Sequence, residues 1–284
     1  MKTVGLPNGV KVPALGLGTW RMGEEAGQRK REIAAVRLAL EIGYRLIDTA
    51  EMYGEGGAEE VVGAALAAAI AAGTVRREEV FVVTKVYPHN ASRKGTVAAC
   101  ERSLARLGID RADLYLLHWP GQHPLADTVA AFEALEAAGR IGAWGVSNFD
   151  VAQMQALAKA KGGERCAANQ VYYSASERGI EFDLLGWQRQ RAIPTMAYCP
   201  IDQGALATDP TFARVGKRHS VSGAQAALAW VMRQPDLIAI PKAVREAHLR
   251  DNLAAAEIAL TEADLAEIDA TFAPPRKKQR LAMA

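Results

Sequence analysis

The chain is poor in cysteine and in aromatic residues. It has three cysteines among 284 residues, and Phe, Trp and Tyr together make up 6%. Cys100, Cys166 and Cys199 form no CxxC motif and no Cys/His spacing typical of a metal site. The sequence therefore excludes a small disulfide-bonded scaffold, predicts no bound metal, and favours a reduced, cytoplasmic location.

The chain also lacks an excess of charge of one sign and a long apolar run. Its 34 basic and 32 acidic residues give a formal net charge of +2, whereas a general nucleic-acid binder carries a basic stripe or a much higher pI. No uncharged apolar run approaches the ~18–20 residues of a membrane-spanning helix, and the N-terminal segment lacks the apolar core of a signal peptide. We therefore expect neither nucleic acid nor a membrane among its partners.

What the chain has is an alternation of two patterns. Half of its residues are hydrophobic and 23% are charged, which excludes intrinsic disorder. Eight short apolar segments predict strands: Leu15–Thr19, Leu46–Thr49, Val80–Lys85, Leu114–His118, Ala143–Ser147, Ala167–Val171, Thr195–Tyr198 and Leu237–Ile240. Segments of helical periodicity follow them: Gln28–Ile42, Ala58–Ala72, Arg93–Leu107, Asp127–Ala138, Val151–Ala160, Gly179–Gln190, Ser222–Arg233 and Arg245–Ala255. Eight strand–helix units predict an α/β fold, the (β/α)8 TIM barrel.

Two further elements flank the repeat. Thr3–Leu6 and Val10–Val12 surround an Asn-Gly turn and predict an N-terminal hairpin. Thr261 opens a pattern typical of a capping box, which predicts an extra C-terminal helix. We interpret residues 1–284 as one domain, in which about 273–284 form a solvated basic tail.

Local signals predict several helix ends. Gly43, Gly73, Gly108 and Gly139 each follow a periodic segment and predict its C-terminal stop. Asp127 and Asp150 precede or open such segments and predict N-caps.

Polar residues stand where three neighbouring strands end. Asp48, Lys85 and His118 close the second, third and fourth strands, and Tyr53 lies just beyond Asp48. Because active sites of such barrels lie at the C-terminal ends of the strands, these four side chains form the candidate site. Each residue alone has an ordinary structural explanation, such as an ion pair at the rim or a packed ring. The interpretation therefore depends on the four residues occurring together.

The chemistry of this set suits reduction of a carbonyl group. Asp48 can neutralise the Lys85 ammonium as it leaves an apolar strand. We expect the remaining positive field to lower the pKa of Tyr53 below its usual ~10, so that the phenol donates a proton to a developing alkoxide while His118 holds the same oxygen. The set lacks the hydroxyl nucleophile and base of a serine hydrolase.

Seven segments together are similar to signatures of one family. They are Gly16-Leu17-Gly18-Thr19-Trp20, Gly43–Tyr53, Val83-Thr84-Lys85, Leu116-Leu117-His118-Trp119, Gly145–Phe149, Asn169-Gln170-Val171 and Ile240-Pro241-Lys242. The chain thereby resembles the aldo-keto reductases over essentially its whole length. Within that family it is similar to bacterial reductases of methylglyoxal and similar aldehydes.

The resemblance implies a function and roles for the four residues. It implies NADPH-dependent reduction of small aldehydes, ketones and dicarbonyl compounds to alcohols, with hydride from the nicotinamide. Tyr53 would be the general acid, Lys85 and Asp48 would tune it, and His118 would place the substrate oxygen. We expect a monomer or a weak homo-oligomer.

The resemblance also implies how the cofactor binds. No GxGxxG motif follows the first strand, so a Rossmann phosphate turn is not expected. Ser147, Asn148 and Gln170 match residues that hold the carboxamide, and Tyr198 matches the ring that stacks on the nicotinamide. The remaining cofactor residues implied are Gly18, Thr19, Trp20, Asp48, Cys199, Pro200, Ile201, Gln203, Gly204, Leu206, Ile240, Pro241, Lys242, Ala243, Val244, Arg245, His248, Asp251 and Asn252.

The adenosine end departs from the family pattern at two positions. Ala243 stands where serine is usual, and His248 where arginine is usual. Lys242 matches the lysine that binds the 2′-phosphate, and Arg245 lies nearby. NADPH is therefore the expected cofactor, and use of NADH is not excluded.

The implied substrate pocket has aromatic walls, which suit small apolar or dicarbonyl substrates. Its residues are Trp20, Met52, Tyr53, Tyr87, His118 and Trp119, with His89 nearby. Because the segment after Phe272 is short, we expect an open pocket and broad specificity.

Two other functions stay open at this point. A binding or regulatory protein of the same fold would hold a nicotinamide nucleotide without turning it over. A lyase would form a Schiff base on Lys85.

Overall fold

The computed structural model describes residues 2–284. Its strands are β1 (Thr3–Gly5), β2 (Lys11–Pro13), β3 (Leu17–Gly18), β4 (Leu46–Asp48), β5 (Phe81–Val86), β6 (Leu114–Leu117), β7 (Trp144–Ser147), β8 (Asn169–Tyr172), β9 (Thr195–Tyr198) and β10 (Leu237–Ala239). Its helices are α1 (Arg29–Glu41), α2 (Gly57–Ala71), α3 (Arg93–Leu107), α4 (Leu125–Ala137), α5 (Val151–Lys159), α6 (Leu184–Arg189), α7 (Pro210–Arg218), α8 (Gly223–Val231), α9 (Glu246–Ala255) and α10 (Glu262–Thr271).

The predicted (β/α)8 barrel is confirmed. Strands β3 to β10 are parallel neighbours in chain order. Isolated bridges pair Leu15 with Ala239 and Gly18 with Lys242, so the first and last strands also meet and the sheet closes. Closure depends on glycine at position 18, because a Cβ there would lie 2.6 Å from the carbonyl oxygen of Ile240.

Apolar side chains pack on both sides of the sheet. One cluster fills the space between the strands and the helices. A second fills the barrel interior with residues such as Leu46, Leu116 and Met196, and it also includes Val4 and Val12 of the predicted hairpin. The hairpin therefore packs on the interior core, and strands buried on both faces read as the short apolar runs seen in the sequence.

Most predicted helix ends are confirmed. Gly43, Gly73, Gly108 and Gly139 all have positive φ. The Asp150 carboxylate caps α5, and Thr261 forms a capping box with Asp264 at the start of α10.

Three local predictions need correction. The prediction of Asp127 as an N-cap is wrong, because α4 begins at Leu125 and Asp127 lies in its first turn, where a carboxylate still suits the helix dipole. The predicted helix Gly179–Gln190 is a 3-10 turn, Gly179–Glu181, followed by the short α6. Helix α7 was not predicted, although Asp209 followed by Pro210 is a typical helix start.

The C-terminal tail folds back along the barrel toward its mouth. Lys278 Nζ lies 3.4 Å from Asp183 Oδ2, and Leu281 packs against the core. Met283 and Ala284 then reach the cavity described below. The expectation of an open pocket with broad specificity and the interpretation of 1–284 as one domain stay predictions.

No helix among residues 2–284 has both the length and the apolar character that a membrane crossing requires.

Candidate active site

The four candidate residues converge at one end of the barrel. Asp48 ends β4, Lys85 lies in β5, His118 follows β6 directly, and Tyr53 begins a 3-10 turn, Tyr53–Gly56. A cavity of about 680 Å³ opens at this rim, and Asp48, Tyr53 and His118 line it. Parallel strands bring residues together here that lie far apart in the chain.

The Lys85 ammonium is the centre of the group. It is fully buried and lies 2.7 Å from Asp48 Oδ1, 2.9 Å from the Thr49 carbonyl oxygen and 3.2 Å from the Tyr53 hydroxyl. These three neighbours use its three N–H donors. The second Asp48 oxygen accepts a hydrogen bond of 2.7 Å from the Gln170 amide, so every charge in the group is compensated.

Burial changes the proton affinities of this group. It raises the pKa of Tyr53 well above its usual value, and the Asp48 charge and Cys199 raise it further. The expected lowering of the Tyr53 pKa is therefore wrong, because desolvation of the phenolate outweighs the Lys85 field, which Asp48 already neutralises. Burial also lowers the pKa of Lys85, opposed by Asp48. Tyr53 thus holds its proton firmly at neutral pH.

His118 is neutral in this environment. Burial lowers its pKa well below the usual 6.5, and the Lys85 charge lowers it further. Its Nδ1 is buried without a hydrogen-bond partner among residues 2–284. We therefore assign the proton to Nε2, because an N–H at Nδ1 would be buried unpaired, whereas His118 lines the cavity. The ring lies edge-on to Tyr53, with centroids 5.6 Å apart. A neutral imidazole can donate Nε2–H to an oxygen in the cavity.

Two side-chain amides continue the polar wall. Asn148 Nδ2 donates to the His118 carbonyl oxygen at 3.0 Å, and its Oδ1 accepts from the Tyr198 hydroxyl at 2.8 Å. The Ser147 hydroxyl is buried and donates to the Gln170 carbonyl oxygen at 2.8 Å. Ser147 therefore supports this wall from within the protein, and Asn148, Gln170 and Tyr198 face the cavity.

Most of the predicted cofactor and substrate residues line this cavity. Besides the residues already named, the predicted residues in the cavity lining are Gly18, Trp20, Met52, Trp119, residues 199–201, Gln203, Gly204, residues 240–242, His248, Asp251 and Asn252. The predicted residues outside its lining are Thr19, Ser147, Leu206, Ala243, Val244, Arg245 and Tyr87. Of these, Thr19, Ser147, Leu206 and Ala243 are buried in the protein, and their contact with the cofactor stays a prediction.

Tyr87 supports the aromatic wall from outside. Its ring meets Trp119 edge-on at 5.8 Å and packs on His89 at 4.6 Å. The buried Glu51 carboxylate accepts hydrogen bonds from the Tyr87 backbone N–H at 2.7 Å and from the Asn90 amide at 3.0 Å. It thus ties the loop that carries Tyr53 to the loop that carries Tyr87.

Five lining residues were not predicted: Arg21, Ala207, Ala224, Met283 and Ala284. Met283 and Ala284 depend on the folding back of the tail, for which the sequence has no clear signal. Arg21 follows Trp20 directly in the sequence, and that adjacency could have indicated it.

The geometry defines a barrel protein with a cluster of charged and polar side chains at the mouth of a large cavity. Residues 14–272 match the Aldo/keto reductase family. The chain is 47% identical to the methylglyoxal reductase YeaE of Escherichia coli over 99% of both chains. It is 36% identical to the glyoxal reductase of Bacillus subtilis over 94% of this chain and 92% of that one. A crystal structure of an aldo/keto reductase from Klebsiella pneumoniae in complex with NADP and acetate has a TM-score of 0.94 at 47% identity, covering 100% of this chain and 99% of that chain.

The chain therefore belongs to the aldo/keto reductase family, as its sequence motifs predicted.

Proposed function

We propose that this protein is an NADPH-dependent reductase of small aldehydes, ketones and dicarbonyl compounds such as methylglyoxal. One observation carries the proposal: the Tyr53 hydroxyl is 3.2 Å from the buried Lys85 ammonium while Tyr53 lines the cavity. The names of the Escherichia coli and Bacillus subtilis relatives support dicarbonyl substrates, and the NADP complex of the Klebsiella pneumoniae relative supports the cofactor.

The cavity fits a dinucleotide with a 2′-phosphate. Its two ends have different chemistry. The side-chain amides of Asn148 and Gln170 lie at the end near Tyr53, and Lys242 and His248 lie at the end near α9. An amide ligand needs donors and acceptors, and a phosphate needs cations near a helix N-terminus. Bound there, NADPH would supply the hydride to the carbonyl carbon.

The protein's own residues then position the carbonyl oxygen of the substrate and supply the proton that this oxygen receives. The neutral His118 donates Nε2–H to the substrate oxygen and orients the carbonyl. Tyr53 gives its proton to that oxygen as negative charge develops, and Lys85 stabilises the phenolate that is left. Asp48 keeps Lys85 charged and in place. Trp20, Met52 and Trp119 form an apolar wall suited to small substrates.

The test is loss of reduced-nicotinamide absorbance when methylglyoxal is added to the protein with NADPH. A reductase consumes NADPH in proportion to the aldehyde, whereas a nucleotide-binding regulatory protein binds it and leaves it intact. Trapping of substrate on Lys85 by borohydride would instead support the Schiff-base lyase. Parallel titrations with NADPH and NADH measure the preference that Lys242 and His248 confer.

We predict a broad pH profile with a fall only on the alkaline side. The lowered pKa of His118 keeps the imidazole neutral well below pH 6.5, and the raised pKa of Tyr53 keeps the phenol protonated past its usual value. Because burial lowers the pKa of Lys85, loss of the charge that stabilises the phenolate contributes to the alkaline fall. The measurement is kcat/KM from pH 5 to 10.5; an acidic fall centred near 6.5 would contradict a neutral, buried His118.

The proposal includes a cytoplasmic location and a monomer or weak homo-oligomer. The free thiols of Cys100 and Cys166 are buried, which suits a reducing compartment. Cell fractionation and size-exclusion chromatography test these two points.

A further inference from the structure

A buried carboxylate beside the active site has no role in the function proposed above. Glu51 lies two residues before Tyr53, and its side chain is 5% exposed. Its Oε1 accepts hydrogen bonds from the Tyr87 backbone N–H and the Asn90 amide, and its Oε2 lies 3.6 Å from a nitrogen of the half-exposed Arg102 side chain. A buried carboxylate is costly unless its oxygens are hydrogen-bonded and its charge is paired, and here both conditions are met.

The hydrogen bonds of Glu51 continue the pairing between β4 and β5. After β4 ends, the Thr49 N–H donates to the Val83 carbonyl oxygen at 2.9 Å, and the Glu51 N–H donates to the Lys85 carbonyl oxygen at 3.4 Å. In a parallel ladder the next donor, the Tyr87 N–H, would meet the Glu51 carbonyl oxygen. It donates to the Glu51 carboxylate instead, at 2.7 Å. The side chain thus takes the place of the main-chain acceptor.

This exchange frees the main chain to turn back toward Lys85. The Tyr53 N–H donates to the Ala50 carbonyl oxygen at 3.1 Å and closes a turn, of which Glu51 is the second residue. Ala50 is fully buried, and Glu51 is held to the segment that carries Lys85. The turn ends with the Tyr53 hydroxyl 3.2 Å from Lys85 Nζ. Glu51 therefore fixes the loop of the proton donor to the strand of its cation.

The same carboxylate also holds the substrate side of the cavity. Tyr87 meets Trp119 edge-on at 5.8 Å, and the Trp119 ring lies 4.9 Å from the His118 ring. Trp119 and Met52, the residue after Glu51, line the cavity. Movement of the Glu51 side chain would therefore displace the proton donor and the aromatic wall relative to each other.

We propose that Glu51 is a positioning residue for the proton transfer: its carboxylate replaces a main-chain acceptor and so holds the Tyr53 hydroxyl against Lys85. The inference rests on the proposed function, because it adds a residue to the same site. Glu51 does not belong to the cavity lining, so it acts through Tyr53. What this role requires is an oxygen acceptor at the end of a side chain of this length, rather than the negative charge.

The test follows single-turnover reduction of methylglyoxal by NADPH in a cycle of variants. E51A removes the acceptor, and we expect the rate to fall about 10-fold to 100-fold, the cost of a catalytic group displaced by up to about 1 Å. In Y53F the same change should alter the rate by about twofold at most, because the acid is already gone and both changes act on one step.

Two conservative variants separate the acceptor from the charge. E51Q keeps an oxygen at the same reach, and the half-exposed Arg102 can turn into water, so E51Q should retain most of the rate. E51D keeps the charge but is one methylene group shorter, so it cannot hold the Tyr87 N–H without moving the turn. We expect an intermediate rate for E51D, which also replaces E51A in the comparison with Y53F if E51A does not fold.

D264A is the control for lost stability. The Asp264 carboxylate is 1% exposed, accepts from the Thr261 N–H at 2.8 Å and pairs with Arg218 at 2.7 Å. No residue of its helix, α10 (Glu262–Thr271), lines the cavity. D264A should therefore lower the free energy of unfolding and leave the single-turnover rate unchanged.

An unchanged rate in E51A overturns the inference. An equal fall in the unaltered and Y53F backgrounds also overturns it, because the effect would then not pass through Tyr53. So does a rate in E51Q or D264A as low as that in E51A. Each of these results leaves the proposed function in place as long as the unaltered protein reduces methylglyoxal. If the unaltered protein consumes no NADPH, the proposed function itself fails and the inference falls with it.

Discussion

Replacing Tyr53 with phenylalanine should lower turnover by about 10²–10⁴-fold, the usual contribution of a positioned general acid. The ring of Y53F can keep its edge-on contact with His118, which lies 5.6 Å away between centroids. What disappears is the hydroxyl 3.2 Å from Lys85 Nζ. The substrate oxygen then lacks a proton donor, and water is a poor substitute inside the cavity.

The measurement is single-turnover reduction of methylglyoxal, because product release can hide a slower chemical step. NADPH affinity, followed by fluorescence quenching, should change little. Retention of more than a tenth of the single-turnover rate would be incompatible with Tyr53 as the acid.

Tyr115 offers a matched control. Its hydroxyl is buried and has no hydrogen-bond partner among residues 2–284. Y115F makes the same chemical change in the barrel, and loss of an unpaired buried hydroxyl should be neutral or slightly stabilising. We expect Y115F to reduce aldehydes at the rate of the unaltered protein, which separates loss of the acid from loss of a tyrosine hydroxyl in general.

The convergence of Asp48, Lys85 and His118 could be predicted because it follows from topology alone. Short apolar runs alternating with helical segments predict a closed parallel sheet, and closure places all strand ends on one rim. Tyr53 lies five residues beyond Asp48 in a loop, and the prediction that its side chain points toward Lys85 depended on the family resemblance. The structure brings it to Lys85.

The direction of the Tyr53 pKa could not be predicted in this way. The sequence identifies neighbouring charges, whereas burial depends on how the whole rim packs, and here burial is the larger effect. The position of Arg21 at the cavity has a similar cause, because Arg21 lies in a tight turn between the buried residues Thr19 and Met22. The return of Met283 to the cavity depends on contacts of the tail with distant parts of the chain, such as Lys278 with Asp183.

Replacing Lys85 with methionine should affect both stability and activity. Methionine fills a similar volume but leaves the Asp48 carboxylate buried with only the Gln170 amide, 2.7 Å away, as a side-chain donor. Loss of one partner from a buried ion pair costs about 3–5 kcal/mol of unfolding free energy. Turnover should fall by about 10²-fold or more, because the phenolate of Tyr53 loses the charge that stabilises it.

The stability of K85M should depend on pH in a defined direction. Burial already raises the pKa of Asp48 in the intact pair, and removal of Lys85 removes the main opposing effect. A carboxyl group whose pKa is higher in the folded state than in the unfolded state favours folding at low pH and loses that contribution as pH rises through the folded-state value. Urea unfolding at pH 5 and pH 8 should therefore show a larger deficit of K85M at pH 8.

A double variant separates charge balance from catalysis. In K85M/D48N neither charge remains, so much of the unfolding free energy lost in K85M should return, since a neutral pair of similar shape is well tolerated in a core. Turnover should stay low, because the restored stability brings back no cation beside Tyr53. If K85M alone unfolds at the same urea concentration as the unaltered protein at pH 8, Asp48 is already protonated in the folded protein. The account of Lys85 as a charged partner of Tyr53 would then be wrong.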